Sequence, residues 1–369
     1  MKVLYIGHYK EGTGWSAAAI NNIMALKTLD IDLVTRNARL TRDVEVPNEI
    51  LELEKKDLQD VDVCIQHVLP HHLVGTNKFK KNIAYFAGET NTIKFCSNWL
   101  PSLQMMDEVW VPCMKGYSAL KSDGIENVKL VPHTFDTSIY GQSQELSFNG
   151  IIKDNFKFYY VGDINDRKNL DNIIRCFHVA FSPSEPVDLI LKVGSPAGEQ
   201  AAMQIVNDKS QKIKQELKMY NDLSCYKKEN IISRNLSRKE LIQLHLICDC
   251  YLSPSHGEAW NIPAFEAMAF GNTPICSDDG GPSDFIDPRE PNTGTLIKGI
   301  NRICNHQSAA FPFLGTGREM WFEPDDAETI KAMRYYFENR NKKDKTKGLS
   351  RAERFDYSKV SQIMLENMK

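Results

Sequence analysis

Two glutamates near position 260 lie on a segment whose residue types suit a phosphorylated, hydroxyl-rich ligand. Glu258 lies in a loop, and Glu266 follows eight positions later within a run of good helix formers. Asn261 can cap that helix, Pro263 is tolerated in its first turn, and Gly271 can adopt positive φ at its end. The pattern predicts Glu266 in the first helical turn. A phosphate fits the helix start, where N–H groups lack partners and the helix dipole is positive.

The flanking residues strengthen this interpretation, since a glutamate near a helix start also serves simply to complement the dipole. An apolar pair, Tyr251 and Leu252, precedes the loop, and a second apolar run at 273–276 follows the helix. The segment is therefore predicted as strand, loop, helix and strand.

A basic pair upstream offers complementary charge. Arg167 and Lys168 follow an apolar strand that ends near Gly162. The planar arginine fork suits two phosphate oxygens, and lysine adds a compact charge. After a strand, the pair is expected at the carboxyl edge of a sheet, where open α/β sheets bind ligands. In isolation, an exposed Arg-Lys turn would be the favoured explanation of the pair, and the downstream segment from Glu258 to Glu266 reverses that preference.

Three segments, in this order, resemble motifs of retaining glycosyltransferases with the GT-B architecture, in particular glycosyltransferase family 4. They are 161–169, 258–266 and 277–286. The resemblance covers most of the chain. It implies an α/β fold of two Rossmann-like domains facing each other across a cleft, with a C-terminal helix crossing back to the first domain. It also implies hexosyl or pentosyl transfer from a nucleoside diphosphate sugar to a hydroxyl acceptor.

The resemblance also implies roles for the second-domain residues. Arg167 and Lys168 would stabilise the departing diphosphate, Glu266 would accept hydrogen bonds from ribose, and Glu258 would lie near the transferred sugar as a catalytic residue. Three backbone N–H groups would read sugar hydroxyls and phosphate: those of Trp260, Asn261 and Ile262. The Trp260 ring either stacks on the ligand or packs in the core. Asn261 replaces a frequent glycine and would alter the sugar pocket.

The first domain supplies weaker candidates. Gly12 and Gly14 permit close backbone approach to donor phosphates or acceptor, although a simple tight turn explains them too. Glu89 follows a predicted strand where relatives carry a cleft histidine, so it is either a catalytic, acceptor-side residue or a structural carboxylate. His67 is either acceptor-side or structural, and His133 either lines the cleft or lies at the hinge.

Length and charge limit the function classes. At 369 residues the chain predicts two domains, and a net charge of -3 gives no bulk attraction for nucleic acid or membranes. No run is long and apolar enough to span a bilayer, which favours a cytoplasmic protein. The nine cysteines are odd in number and are expected to be reduced core residues, Cys225 among them. Cys248 and Cys250, at a predicted helix-to-strand junction, are expected to be buried thiols.

Alternating apolar strands and helical segments predict mostly parallel sheets in both halves. The polar stretch 136–157 is predicted as the interdomain linker, giving a first domain at 1–145 and a nucleotide-sugar domain at 146–340. The segment 341–369 is expected to pack back on the first domain through a helix over 357–368. A surface helix is predicted over 200–226, and the basic run 340–348 as an exposed helix end or loop.

No cofactor and no metal are expected. His71 and His72 are adjacent on a loop, without the helical spacing of a metal pair, and the Gly12 loop lacks the complete dinucleotide fingerprint. The acceptor stays open among glycans, lipid-linked glycans, small molecules and a hydroxymethylated DNA base, and the chain is either a monomer or a dimer. Alternative functions are nucleotide-sugar epimerisation, phosphorolysis and non-catalytic nucleotide-sugar binding.

Overall fold

The computed structural model describes residues 1–96, 98–141, 154–304, 315–342 and 344–369. The chain forms two compact units. Unit 1 comprises 1–139, 303–321 and 353–369, and unit 2 comprises 140–302 and 322–352. Most of the predicted linker at 136–157 lies outside the described residues.

Unit 1 is built on a six-stranded sheet in which every pairing is parallel. Its strand order is β2-β1-β3-β4-β5-β6. The strands are β1 (Lys2–Gly7), β2 (Asp32–Asn37), β3 (Val63–His67), β4 (Lys81–Tyr85), β5 (Glu108–Val111) and β6 (Val128–Leu130). The central strand β3 is buried along its whole length, as expected for a parallel sheet covered on both faces.

Four helices connect these strands: α1 (Gly14–Lys27), α2 (Asn48–Glu54), α3 (Trp99–Gln104) and α4 (Met114–Ser122). Helix α1 begins with a capping box, in which Thr13 and Ser16 exchange side-chain and backbone hydrogen bonds. Its apolar face, including Ile23 and Leu26, joins the core above β1 and β3. The capped start of α1 thus fixes the glycine loop that precedes it.

Unit 2 repeats the design with a second parallel six-stranded sheet. Its order is β12-β11-β10-β7-β8-β9. The strands are β7 (Phe156–Asp163), β8 (Val187–Gly194), β9 (Asn230–Ile232), β10 (Cys250–Ser253), β11 (Ile275–Ser277) and β12 (Thr295–Ile297). A separate two-stranded sheet joins β13 (Gly299–Ile303) and β14 (Met320–Pro324). Two Rossmann-like sheets are thereby confirmed.

The described residues of unit 2 form seven helices: α5 (Leu170–Ala180), α6 (Glu199–Leu217), α7 (Arg238–Ile247), α8 (Ile262–Ala269), α9 (Gly281–Phe285), α10 (Asp326–Glu338) and α11 (Lys345–Ala352). The helix predicted over 200–226 is therefore wrong in its last third, because α6 ends where Lys218 adopts a left-handed conformation with φ 51°. The basic run at 340–348 forms a short 3-10 turn at Arg340–Lys342 and the start of α11.

The last helix, α12 (Tyr357–Met368), matches its predicted bounds. Val360, Met364 and Met368 join the unit 1 core beside Ile23 and Leu26 of α1. The chain therefore returns to unit 1 after completing unit 2, in agreement with the predicted crossing helix.

Two further observations concern the cysteines and the membrane. Cys248 and Cys250 are buried thiols at the end of α7 and the start of β10. Cys225 is exposed, which corrects its prediction as a core residue; it ends a short 3-10 turn at the surface. Within the described ranges, no helix is long and apolar enough to cross a membrane.

Candidate active site

The loop between β10 and α8 carries the segment that was prominent in the sequence. Asn261 caps α8 by accepting a hydrogen bond from the Ala264 N–H, and its own φ is 74°, in the left-handed region. Asparagine tolerates this region better than most residues, so it can stand where glycine is frequent. Its side-chain amide donates to Ser253 Oγ at 2.8 Å. The Asn261 side chain is therefore held by the loop itself.

The predicted position of Glu266 needs correction. Because α8 begins at Ile262, Glu266 is its fifth residue and lies in the second turn, not the first. Gly271 has φ 84° after the helix, as expected.

Glu258 is the centre of a buried charge cluster. Its carboxylate lies 2.7 Å from Lys168 Nζ and 3.2 Å from Arg167 Nη1. Arg167 also donates to the Gly257 carbonyl at 2.6 Å. The cations reach the loop because a 3-10 turn at 166–168, capped by Asn165, follows β7. The structure thus joins two motifs that lie about ninety residues apart in the chain.

The electrostatics keep Glu258 ionised. Burial raises the pKa of its carboxyl, but the charges and hydrogen bonds of Lys168 and Arg167 outweigh burial and lower the pKa below its ordinary value. Glu258 is only 5% exposed. A buried carboxylate with two cationic partners is a good hydrogen-bond acceptor and a poor proton donor at neutral pH.

Glu266 is buried between two basic side chains of α7. Its carboxylate lies 2.5 Å from Arg238 Nη2 and 3.6 Å from His245 Nε2. Burial raises the pKa of Glu266, but Arg238 and His245 more than compensate and lower it to about 2. The Arg238 side chain is half exposed, whereas Glu266 is covered. A ligand that reaches Glu266 therefore meets Arg238 as well.

A relay of hydrogen bonds orients His245 toward Glu266. The Asn272 amide donates to the Tyr159 hydroxyl at 3.0 Å, and that hydroxyl lies 2.6 Å from His245 Nδ1. Since Tyr159 accepts from Asn272, its own proton is left for His245 Nδ1. Nε2 of His245 is the ring atom that faces Glu266.

A glycine pair lets the next loop approach the Glu258 backbone. Gly281 donates its N–H to the Glu258 carbonyl at 3.2 Å. A Cβ atom at Gly280, where φ is 69°, would lie 1.8 Å from that carbonyl oxygen. One at Gly281 would lie 2.3 Å from Trp260 Cα. No larger residue fits these two positions without displacing the loop that carries Glu258.

The Trp260 ring has a packing role. It is 2% exposed and contacts Phe265 of α8 and Phe285 of α9. Of the two interpretations left open by the sequence, core packing describes the ring as the structure places it. Donor contacts of Trp260 and Ile262 would then come from the backbone.

The unit 1 candidates lie in and after the first strands of its sheet. Gly12 has φ 67°, and Gly14 is the first residue of α1. Trp15, which follows, lies against the ring of His67 with centroids 5.3 Å apart and donates to the His67 carbonyl at 3.2 Å. The glycine loop and the end of β3 therefore lie side by side.

His67 and His133 are buried together, with ring centroids 6.3 Å apart. Tyr5 bonds His67 Nδ1 at 2.7 Å, and Tyr85 bonds His133 Nδ1 at 2.9 Å. Burial holds the pKa of His67 well below its ordinary range and lowers that of His133 to about 3. Both imidazoles are neutral at pH 7.

Glu89 is half-buried in the loop after β4, where its carbonyl accepts a hydrogen bond from Lys115 Nζ at 3.3 Å. His71 and His72 stack edge to face, with centroids 4.2 Å apart. Among the described residues, no group of three or more metal-ligating side chains converges on one point.

Solved structures align with the whole chain. Sucrose-phosphate synthase from Thermosynechococcus elongatus has a TM-score of 0.67 at 14% identity, covering 100% of this chain and 98% of its own. Anabaena HepE in complex with UDP-glucose has a TM-score of 0.66 at 16% identity, with coverage of 100% and 99%. A trehalose-6-phosphate structure from E. coli, bound with UDP-2-fluoro glucose, has a TM-score of 0.67 at 11% identity, with coverage of 100% and 99%. These likenesses establish the fold, which is GT-B.

The sequence of unit 2 matches the model of a known protein family. Residues 142–302 match the model of glycosyl transferases group 1. The matched stretch spans most of unit 2, and the chain as a whole has the GT-B fold. No curated protein sequence matches the chain significantly. The matched region contains Arg167, Lys168, Glu258 and Glu266.

Sequence reasoning missed three residues around Glu266: Arg238, His245 and Tyr159. A weak signal was present, since Arg238 and His245 are seven positions apart on α7 and so share one helix face. Tyr159 carried no signal, because it sits within an apolar run that reads as a buried strand.

Proposed function

We propose that the protein is a glycosyltransferase that transfers a sugar with retention from a nucleoside diphosphate sugar to a hydroxyl acceptor, without a metal. Unit 2 binds the donor, and unit 1 binds the acceptor. The observation that carries the proposal is the cluster of Arg167, Lys168 and Glu258 at the carboxyl edge of the second sheet. This edge is where open α/β sheets bind ligands.

The cluster supplies what departure of a diphosphate needs. When the bond from the sugar C1 to the phosphate oxygen breaks, the electron pair leaves with the diphosphate. Arg167 and Lys168 are already in place to stabilise that charge, so little reorganisation accompanies the reaction. The acceptor oxygen bonds C1 on the same face, and its proton passes to the departing phosphate oxygen.

The state of Glu258 supports this route. Its lowered pKa keeps it ionised, which suits it to hold sugar hydroxyls and does not suit it to donate a proton. Its carboxylate is also neutralised by two cations, which weakens it as a nucleophile. We therefore assign Glu258 to sugar binding and to keeping Arg167 and Lys168 in position.

Glu266 is assigned to the donor ribose. The His245 relay holds one of its oxygens, and Arg238 holds the other from a half-exposed position. Ribose hydroxyls can replace or share the Arg238 contact without disturbing His245. HepE and the E. coli structure are bound with UDP-glucose and UDP-2-fluoro glucose, so uridine donors are the first to test.

Calorimetry with UDP and UDP-glucose tests the donor site. Arg167→Ala and Glu266→Gln should each weaken binding by about 1.5–3 kcal/mol, the usual contribution of a hydrogen bond to a charged group. Arg175→Gln is the matched control, because Arg175 of α5 is paired with Asp326 at 2.7 Å. If both site variants fold and bind UDP as the unaltered protein does, the donor site is misassigned.

The stereochemical proposal has its own readout. With UDP-glucose and a hydroxyl acceptor, the anomeric proton coupling in the NMR spectrum of the product should report the α-linkage of the donor. A β-linked product would refute retention and leave the donor site intact. Conversion of the donor sugar without any acceptor would indicate an epimerase.

A further inference from the structure

Unit 1 contains a cavity of about 440 Å³. It lies against the face of the sheet formed by the carboxyl halves of β1 and β3. Its walls are mainly apolar, and they include Ile6, Ala38, Cys64, Val68, Val74 and Phe79. The volume falls in the range of small-molecule sites, which are mostly apolar clefts with few polar groups.

The wall also includes the polar residues His8, Gln66, His72 and Thr76, of which His8 and Gln66 bond to the surrounding backbone. His8 contacts the Ala38 carbonyl through Nδ1 and receives the Leu69 N–H at Nε2. Gln66 binds both the N–H and the carbonyl of Val74, at 3.0 and 2.8 Å. Because these groups bond to the surrounding loops, the cavity offers a ligand chiefly apolar surface.

Arg39 supplies positive charge at this wall. Its side chain is exposed and forms no ion pair or hydrogen bond within the described part of the chain. A guanidinium in this setting can bind a carboxylate or phosphate with two parallel hydrogen bonds. An apolar cavity with a cation at its wall is complementary to an amphiphilic anion.

The backbone that carries Arg39 is fixed before any ligand arrives. Glu11 is 4% exposed, and its carboxylate accepts the N–H groups of Leu40, Thr41 and Arg42 at 2.7–3.2 Å. The Ala38 N–H bonds the Gly7 carbonyl at 2.9 Å. A preformed site loses little entropy when it binds. Glu11 begins the glycine loop, so one loop shapes both this cavity and the start of α1.

We propose that the cavity binds the acceptor, and that the acceptor joins an apolar alkyl or aryl group to a carboxylate or phosphate held by Arg39. This inference rests on the proposed function, since it takes unit 1 as the acceptor side. Free sugars fit the cavity poorly, because their hydroxyls would lose hydrogen bonds to water against apolar walls.

The test uses hydroxy compounds that separate the two requirements. Calorimetry on the full chain compares 4-(hydroxymethyl)benzoate and 6-hydroxyhexanoate with benzyl alcohol, which lacks the anion, and with lactate, which lacks the apolar group. We expect at least one of the first two to bind tenfold or more tightly than both of the others. The first two compounds also distinguish an aryl group from an alkyl group.

Two arginines on one loop give a matched pair of variants. Arg39→Gln should remove the preference for the hydroxy acid over benzyl alcohol, whereas Arg42→Gln should leave it unchanged, since Arg42 does not line the cavity. Ala38→Leu, which fills the cavity, should weaken binding of both aryl compounds. If Ala38→Leu does not fold, the arginine pair still decides.

The proposal is overturned if neither 4-(hydroxymethyl)benzoate nor 6-hydroxyhexanoate binds more tightly than lactate. It is also overturned if Arg39→Gln and Arg42→Gln change the binding preference alike. UDP affinity is measured on the same samples. If the unaltered protein does not bind UDP, the proposed donor site is refuted, whereas the binding result for the cavity still holds. Normal UDP binding without hydroxy-acid binding would refute the cavity alone.

Discussion

The first strand of each sheet carries a tyrosine that takes part in the same kind of relay, and the two relays end in different chemistry. Tyr5 and Tyr159 are each the fourth residue of their strand. In unit 1, Asn22 donates to Tyr5, which bonds His67; in unit 2, Asn272 donates to Tyr159, which bonds His245. The other four residues, Asn22, His67, Asn272 and His245, come from elements that do not correspond between the two units.

The difference lies in what the imidazole faces. His245 faces the Glu266 carboxylate, in the unit that also holds Arg167 and Lys168. His67 faces other aromatic rings, and its pKa is pushed well below the ordinary range by burial. Equivalent backbones thus hold charge in one unit and neutral polar groups in the other. Under the proposed function, the charged groups of unit 2 would meet the diphosphate, and the neutral imidazoles of unit 1 would adjoin the reacting hydroxyl of the acceptor.

Removing a positive charge from the Glu258 cluster of unit 2 should have the largest effect on kcat. Lys168→Ala is expected to lower kcat for UDP-glucose by about 10²–10³-fold, the usual effect of removing one group that stabilises developing negative charge. Release of UDP measures it. Lys209→Ala is the control, because Lys209 pairs with Asp171 at 2.8 Å on a more exposed surface. Equal rates in the two variants would break the contrast between the units.

The close approach at Gly280 should matter for stability as well. Gly280→Ala forces a Cβ against the Glu258 carbonyl, whereas Gly124→Ala, in unit 1, has a similar φ of 86° and open space around the new atom. The control should lose only the backbone term of about 1–2 kcal/mol. Chemical denaturation should show a clearly larger loss for Gly280→Ala, together with weaker UDP binding. Similar losses would mean that the Glu258 loop yields easily.

Acid should act first through the neutral histidines of unit 1. His133 has a pKa of about 3 in the folded chain against 6.5 ordinarily. Between these values the unfolded chain binds a proton that the folded chain does not. The free energy of unfolding therefore falls by about 1.4 kcal/mol for each pH unit by which the pH is lowered. His133→Gln should weaken the pH dependence of the free energy of unfolding, as measured by chemical denaturation at several pH values between 6.5 and 5. An unchanged slope would show that His133 protonates in the folded state.

Glu266 should act in a lower window. Its pKa of about 2 lies below the ordinary 4.5, so its stabilising effect is present above 4.5 and is lost as the pH falls toward 2. Glu266→Gln should therefore change the pH dependence only below about 4.5. If Glu266→Gln changed the pH dependence of the unfolding free energy near pH 6, the two units would not act in separate pH ranges.

Chelation should have the smallest effect. If the protein's own cations stabilise the diphosphate, EDTA should leave the rate of UDP release unchanged within error. Magnesium added back serves as the control. A loss of activity that magnesium restores would refute the metal-independent proposal.

Local spacing allowed much of this to be predicted. The Asn261 cap, the Gly271 turn and the bounds of β5, β10 and α12 follow from residue types within a few positions of each other. The error at Glu266 is one of spacing: with the cap at Asn261, as predicted, Glu266 is the fifth helical residue and lies beyond the 3.6 residues of the first turn.

Contacts between distant elements were beyond such reasoning. Arg238 contacts Glu266 only because α7 packs beside α8. The hydrogen bonds from the backbone of 40–42 to Glu11 likewise require the loops after β1 and β2 to lie side by side. Neither pairing has a fixed sequence spacing. The cavity beside Arg39 likewise depends on how three loops fold over the sheet, which no periodicity encodes.

The return of α12 has a consequence for biosynthesis. Helix α12 contributes Val360, Met364 and Met368 to the core of unit 1, yet the ribosome makes these residues after all of unit 2. Domains generally fold in the order of their synthesis, but here the first unit must wait for the last residues before its core closes. Nascent chains stalled before α12 should therefore keep the α1 face exposed and recruit chaperones, even when unit 2 is already folded.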